Sequence, residues 1–475
     1  MAALRRVPSF GERRVIADLK PYPAYCPAEG SWLGDVPAHW TVRRIKYVVQ
    51  EVDSRSTTGD EQLLRVSQFT GVTQRLRLEG QHGQDTRAAS LVGYKRVQPN
   101  ELVINIMLAW NGSMGVSHFS GIASPAYCVY RFQQGALPWY FHHLFRSPAY
   151  KARIKAMSTG VVESRLRLYS DDLFRIEALL PPPDEQAAIV KFLDWANARL
   201  ERTIRAKRRA IALLTEQKQA IIHRAVTRGL DPTVPLKPSG IAWLGDIPAH
   251  WETRRSKYLF REVDERSVSG EETHLSMSQK FGLIPNSEMS VRRLLSNSYA
   301  GAKLCQSGDM VLNRLKAHLG VFALAPQPGL ISPDYTVFRP ICNLEPTYFE
   351  AIYRSLACRV ELYKRAKGIV QGFWRLYTDD FYDIGVPAPP VSEQTEIMAH
   401  LAEALGGQNT AISRLEGEID LLREYRTRLV ADIVTGKLDV REAAARLPQD
   451  EVKTALEPEE LYPMDTSDAE AELAE

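Results

Sequence analysis

The sequence predicts an α+β protein built twice over. Two mixed α and β domains stand in tandem, separated and bridged by two long helices packed as an antiparallel coiled coil. Three observations predict this. The phrase WLGDVPAHW at 32–40 returns as WLGDIPAHW at 243–251. The matches around it continue in one order through nearly the whole of each half. A sustained apolar heptad follows the second domain and can be traced after the first.

The duplication begins at an offset of 211, Trp32 meeting Trp243, and settles at 208 once the second copy has lost three residues. VSQFTG at 66–71 meets MSQKFG at 277–282, LVIN at 102–105 meets MVLN at 310–313, and SPAY at 124–127 meets SPDY at 332–335. RLYSDD at 167–172 meets RLYTDD at 375–380, Glu185-Gln186 meets Glu393-Gln394, and Thr227 and Asp231 meet Thr435 and Asp439. A unit of about two hundred residues is too large for a solenoid repeat. It gives the molecule a pseudo-two-fold design.

Each unit has two parts. The first mixes short strand-like runs, such as ELVINIML at 101–108, with Gly, Pro and Asn punctuation and a helical stretch over 139–156. SPAY and SPDY read as tight turns feeding a strand. The S-D-D and T-D-D steps read as helix starts with acids in the first turn. The second part opens after the Pro clusters at 181 and 388, with Asp184 and Ser392 as expected N-caps. There Leu401, Leu405, Gln408, Ile412, Leu415, Ile419, Leu422, Arg426, Leu429 and Ile433 step by four and three. The same positions in the first copy are Leu193, Asn197, Leu200, Ile204, Lys207, Ile211, Leu214, Lys218, Ile221 and Ala225. A 3.5-residue period makes a coiled-coil seam, and two such helices in one chain are expected to pack on each other. At about 40 residues each would span roughly 60 Å and could serve as a ruler. The expected boundaries are an N-terminal extension over 1–29, a first domain over 30–183, a first helical region over 184–229, a second domain over 240–391, a second helical region over 392–437 and an acidic tail over 448–475.

The bulk properties fit. At 475 residues with 44% hydrophobic and 25% charged content, the chain has the composition of a multidomain globular protein. Its net charge of +3 is nearly neutral. The tail from Asp450 nevertheless carries many acids and a single Lys453, so the body is basic and suits a polyanionic partner. The tail itself has the composition of a disordered segment. Five scattered cysteines without a C-x-x-C pair fit a reducing compartment. No apolar run approaches the ~20 residues of a membrane span, so a cytoplasmic protein is expected.

Catalytic signatures are missing in both copies. SPAY and SPDY resemble the Asn/Asp-Pro-Pro-Tyr loop of amino-methyltransferases but lack its second Pro. There is no G-x-G-x-x-G seat for S-adenosylmethionine and no P-loop. His39 and His250 lack metal-ligand spacing, and packing or capping is their expected role. Trp32, Trp40, Trp243 and Trp251 are expected to pack the frame.

The copies agree in their frames and differ in the stretches between. TQRLRLEGQHGQDTRAAS gives way to IPNSEMSVRRLLSNS, NIMLAWNGSMGVSHFS to NRLKAHLGVFALAP, and STGVVESRLRLY to AKGIVQGFWRLY. These stretches are polar, Gly-containing, basic and aromatic. Two like scaffolds holding unlike loops suggest two different half-sites, with Arg and Lys suited to phosphates or guanine edges and Asn and Gln to adenine.

The ordered series WLGxIPxHW, VSQ, LVIN, SPxY, RLYxDD, PPxxEQ and a long heptad helix, given twice, resembles the specificity subunit of type I restriction–modification systems, the HsdS family. The resemblance covers about residues 20–440. It implies a non-catalytic subunit with two target-recognition domains, each reading one half of a bipartite, asymmetric site in double-stranded DNA. The helices would set the unread spacer and dock two modification methyltransferase subunits and the restriction/translocase subunits. Those partners, not this chain, would hold S-adenosylmethionine, ATP and Mg, so no cofactor or metal is expected here. The candidate DNA-reading residues on the matching loops are Ser67, Gln68, Asn105, Trp110, Asn111, Ser113, Arg165 and Arg167 in the first domain. In the second they are Ser278, Gln279, Lys280, Asn313, Arg314, Lys316, His318, Trp374 and Arg375. The alternatives are a self-contained DNA methyltransferase or nuclease, and a coiled-coil scaffold with degenerate recognition domains.

Overall fold

The computed structural model describes residues 19–28, 32–75, 90–160, 166–278, 281–288, 299–368 and 374–448. It forms two compact units, Met1–Ala206 with Glu418–Glu475, and Lys207–Gly417. The acidic tail beyond 448 and most of the N-terminal extension lie outside the described residues.

The first unit is organised around an antiparallel four-stranded sheet in the order Val49–Val52, Tyr127–Phe132, Leu102–Asn105, Met114–Val116. LVIN is buried throughout because this sheet is covered on both faces. Val103 and Val129 point into a small core with Leu64, Val66 and Val72 from the hairpin Leu64–Ser67/Gly71–Gln74. Leu102, Ile104 and Tyr130, one residue out of phase, point into the larger core. That core is closed by α1 (Pro138–Phe145), α2 (Pro148–Met157) and α3 (Ser170–Arg175) through Phe141, Phe145, Tyr150, Ile154 and Leu173. The stretch expected as one helix over 139–156 is thus two. Ser147 is extended, with φ −68° and ψ 153°, because the residue before a proline is pushed out of the helical region, and Pro148 then starts a new helix. The apolar run at 101–108 is likewise shorter as a strand than its composition suggests. It leaves the sheet after Asn105, whose side chain accepts from the Met107 N–H at 3.1 Å and turns the chain.

The second unit repeats the plan. Its sheet runs Phe260–Val263, Tyr335–Pro340, Met310–Asn313, Phe322–Leu324. Val337 lies opposite both Val263 and Val311, as Val129 lies opposite Val52 and Val103 in the first unit. Its helices are α5 (Pro346–Arg354), α6 (Leu356–Arg365) and α7 (Thr378–Tyr382). SPAY and SPDY turn as expected: the Tyr127 and Tyr335 N–H groups donate to the Ser124 and Ser332 carbonyls, and a strand follows each.

The long helices are α4 (Pro183–Arg228, 46 residues) and α8 (Val391–Val434, 44 residues). Both start one residue before the expectation. The Pro182 and Pro390 carbonyls take the first helical bonds from Gln186 and Gln394, so Asp184 and Ser392 lie in the first turn rather than at the cap. Every heptad position of the two seams is buried or half-buried. In the first unit the start of α4 (Ile189, Phe192, Leu193) shares a core with the end of α8 (Leu429, Ile433). Further along α4, Glu201 accepts from Arg426, earlier in α8. In the second unit the end of α4 (Ala225, Val226) packs with the start of α8 (Ile397, Leu401), and Lys218 donates to Asn409 at 2.7 Å. Within each unit, as α4 ascends α8 descends, so the two helices run antiparallel there.

The nine-residue phrase has a physical reason to recur. In the first unit Glu185, at the start of α4, accepts from Trp40 Nε1 at 2.9 Å and from the Tyr22 hydroxyl, and lies 2.7 Å from His39 Nε2. Gly436, just past the end of α8 with φ +79°, lies against Pro37 and Trp40 so closely that a Cβ would collide with them. In the second unit Glu393, at the start of α8, takes Trp251 Nε1 at 3.0 Å and His250 Nε2 at 2.9 Å. There Gly229, past the end of α4, lies against Pro248 and Trp251. P-A-H-W therefore grips the start of one long helix and the end of the other. Gln186 and Gln394 add to the grip by accepting from the Leu137 and Glu345 N–H groups at 2.8 Å.

Part of the stretch expected as an extension belongs to this frame. Tyr25–Pro27 pairs with Asp35–Pro37 as Leu236–Pro238 pairs with Asp246–Pro248. Tyr22 is buried, and the Asp439 N–H donates to the Lys20 carbonyl at 2.8 Å. Asp231 corresponds to both Lys20 and Asp439. What the second unit achieves with continuous chain, the first achieves with a hydrogen-bonded junction. A further short helix, α9 (Arg441–Ala445), packs Ala443 and Ala444 into the first core.

Candidate nucleic-acid interface

Three loops of the first unit carry its candidate residues: the turn after Ser67, the loop after Asn105, and the segment ending at Arg167. Ser67 is buried and its Oγ accepts from the Phe69 N–H at 3.1 Å, while Gln68 is half-buried in the turn. Asn105 and Ser113 are also buried. Ser113 Oγ donates to Asn111 Oδ1 at 2.8 Å, which shapes the loop containing the short 3-10 helix Ala109–Asn111. The Ser67, Asn105 and Ser113 side chains hold their loops by internal hydrogen bonds. The exposed groups are Arg167 and Phe69, 48% exposed in the turn, while the Trp110 ring is half-buried with Lys155 Nζ 5.6 Å from its centroid. Arg165 lies outside the described residues.

One cation joins two of these loops. Arg146, at the end of α1, donates through Nη1 to the Met114 carbonyl at 2.6 Å and to the Ser67 and Gly112 carbonyls at 3.4 Å. Its Nη2 donates to the Gln68 and Phe69 carbonyls at 3.0 and 2.7 Å. Gly71 and Gly115 make the approach possible: a Cβ on Gly115 would stand 3.1 Å from Gly71 Cα. His142, one turn before Arg146, accepts from the Val116 N–H on Nδ1 at 3.1 Å. Burial, and then the neighbouring Arg146 charge, hold it well below the usual histidine range, and His143 is pushed down to about 4. Both imidazoles are therefore neutral at pH 7 and add no charge beside the guanidinium. The third loop is tied in by the Leu168 N–H, which donates to the Ile106 carbonyl at 2.9 Å.

In the second unit Asn313 Oδ1 accepts from the Leu315 N–H at 3.2 Å, capping the 3-10 helix Arg314–Leu319. Arg314 Nε donates to the Asp334 carbonyl at 3.0 Å, and Lys316 is exposed. Ser278 Oγ accepts from the Phe281 N–H at 3.3 Å, and Phe281, like Phe69, is a highly exposed aromatic at the tip of its turn. The Leu376 N–H donates to the Arg314 carbonyl at 3.1 Å, bringing exposed Arg375 to this loop, and Trp374 packs edge-on to Tyr363. Gln279, Lys280 and the His318 side chain lie outside the described residues. Sequence reasoning missed Phe69, Phe281 and Arg146. The aromatic in SQFTG and SQKFG was a visible signal, and Arg146 carried one in its recurrence as Arg354 at the offset of 208, although its partners are carbonyls far away in sequence.

The units also differ beside the phrase. Trp32 Nε1 donates to Glu177 Oε2 at 2.9 Å. Gly385 occupies the position of Glu177 in the second unit, and Trp243 Nε1 is buried there without a partner. A cavity of about 920 Å³ opens beside Trp243, Arg254, Arg255 and Tyr258. Among the described residues there is no cluster of three or more His, Cys, Asp or Glu that could hold a metal, and no helix is long and apolar enough to cross a membrane.

The fold and its loops define a class: a tandem pair of like α+β scaffolds, carried on two long antiparallel helices, that present unlike loop clusters. Comparison with known proteins points the same way. The chain is 20% identical over 366 residues to the type I restriction enzyme EcoKI specificity subunit of Escherichia coli (strain K12), covering 72% of this chain and 76% of that protein. It shares its fold with a chain from a solved type I restriction–modification system studied for complex assembly and conformational transition, with a TM-score of 0.54 and 17% identity over 84% of this chain and 98% of that one. The HsdS subunit from Thermoanaerobacter tengcongensis aligns at a TM-score of 0.39 and 17% identity, over 85% and 98% of the two chains. No family model matches. The chain is similar to type I specificity subunits, as its ordered, duplicated motifs imply.

Proposed function

We propose that this chain is the DNA sequence-recognition subunit of a type I restriction–modification complex. The observation that carries the reading is the contrast between the two units. The frame repeats down to the clamp on each long helix, while the sequences over 73–90 and 105–120 do not recur in their counterparts over 284–298 and 313–326. A protein recognising one symmetric site would need like loops; unlike loops on like frames suit the two halves of an asymmetric, bipartite site in double-stranded DNA. The antiparallel pair of long helices would fix the spacer between the half-sites and dock two modification methyltransferase subunits and the restriction/translocase subunits. Methyl transfer to adenine, ATP hydrolysis and cleavage would belong to those partners, which would bring S-adenosylmethionine, ATP and Mg. The chain itself would be non-catalytic and would work in the cytoplasm, where DNA is met.

The decisive experiment is a genome-wide map of methylated adenines in cells with and without this chain. One bipartite, asymmetric motif should lose methylation when the chain is removed. Methyl transfer by the purified chain alone would make it an enzyme instead. A complex with its methyltransferase that shows no sequence preference at physiological salt would make it a scaffold.

A further inference from the structure

We propose that Arg146 is a positioning residue that sets the base preference of the first unit by locking two recognition loops into one rigid body. The inference rests on the DNA-reading function proposed above and deepens it. The two terminal nitrogens of a guanidinium carry four N–H groups in a fixed plane. Those of Arg146 meet five main-chain carbonyls, three from the turn at Ser67, Gln68 and Phe69 and two from the turn at Gly112 and Met114. Gln68 and Phe69 on one side and Trp110 and Asn111 on the other are therefore held at a set separation by a half-buried guanidinium whose terminal nitrogens face main-chain carbonyls. Carbonyls turned toward one cation also fix the orientation of the peptide planes, and with them the directions in which the intervening side chains leave the loops. Base discrimination requires donors and acceptors to be placed within a few tenths of an ångström of base edges, so a shared anchor for two loops is a determinant of specificity even though it touches no base.

The pocket around the anchor is built for it. Gly71 and Gly115 let the hairpin and the sheet edge come within reach. His142, kept neutral by burial, spends its Nδ1 lone pair on the Val116 N–H next to the second turn. Lysine cannot replace arginine here, because an ammonium is a point charge without the planar fork.

The test uses the full chain assembled with its methyltransferase subunits and a DNA library in which both half-sites are randomised. Arg146→Met and Arg146→Lys should each relax selection at one half-site, by about tenfold or more in preference for the best base over the next. Selection at the other half-site should remain as in the wild type, with Arg146→Lys retaining more than Arg146→Met. The unaffected half-site is the control for folding and assembly. If Arg146→Met does not fold, Arg146→Lys carries the test. Full discrimination retained at both half-sites, or equal loss at both, overturns the role of Arg146. A wild-type complex that selects no sequence at all overturns the DNA-reading function itself, a separate and recognisable result.

Discussion

Two acidic residues on α4 show how local surroundings decide what a carboxylate costs. Glu185 is buried but takes hydrogen bonds from Tyr22 and Trp40, with His39 alongside, so its charge is met and the start of the helix is held. Asp194, between Leu193 and Trp195, is pushed up to about 6 by burial. A carboxyl whose proton is held more tightly in the folded chain than in the unfolded one lowers stability as pH rises from about 4 to about 6, and the loss persists above that. Asp194→Asn removes this penalty. In urea unfolding at pH 8 the variant should be more stable than the wild type by about 1–3 kcal/mol, and the gap should close as the pH is lowered toward 4. A gap of constant size across that range would locate the effect in packing rather than in ionisation.

At the scale of the element, glycines play opposite parts in α8 and just beyond it. Gly406 and Gly407 sit inside the helix, where an added Cβ would meet nothing within 4 Å, whereas Gly436 follows it with φ +79° against Pro37 and Trp40. Glycine inside a helix costs about 1 kcal/mol relative to alanine. Gly406→Ala with Gly407→Ala should therefore raise the unfolding free energy by roughly 1–2 kcal/mol. Gly436→Ala should lower it by more than about 1 kcal/mol, because a left-handed backbone and a collision with Pro37 act together. Chemical denaturation of the three variants checks both signs at once. These elements also show what the sequence made legible. The heptad was readable because burial follows a fixed period along one helix, and Trp40 and Trp251 were readable as frame because they recur with it. The break between α1 and α2 is written in Pro148, because the residue before a proline is pushed out of the helical region. The exit of the strand at Asn105, the burial of Ser67 and Ser113, and the anchor at Arg146 depend on which backbone groups come near after folding, and neither composition nor period encodes that.

For the whole molecule, the internal duplication separates positions by the task they share. Most agreements between the copies are buried and belong to the helix clamp or the sheets. Others are exposed, and among them one patch is both basic and aromatic. RRIKY at 43–47 and RRSKY at 254–258 place exposed tyrosines, Tyr47 at 58% and Tyr258 at 59%, beside Lys46 and Lys257, whose Nζ atoms lie 4.7 and 4.9 Å from the rings. Arg43 and Arg44 are exposed beside the first, with no acidic partner among the described residues. An exposed feature kept in both units while the reading loops differ suits a task that is the same at both half-sites, and binding the phosphate backbone is such a task. Arg43→Gln with Arg44→Gln should then weaken binding of the assembled complex to target and to random DNA by the same factor. The slope of log affinity against log salt should become shallower by about 0.9 for each phosphate no longer neutralised, with the bases selected at both half-sites unchanged. An unchanged salt slope, with dissociation of the methyltransferase subunit from the complex, would instead make this repeated patch a protein-docking surface. That too would be a task common to both units, so the repetition predicts a shared partner and the salt slope decides which one.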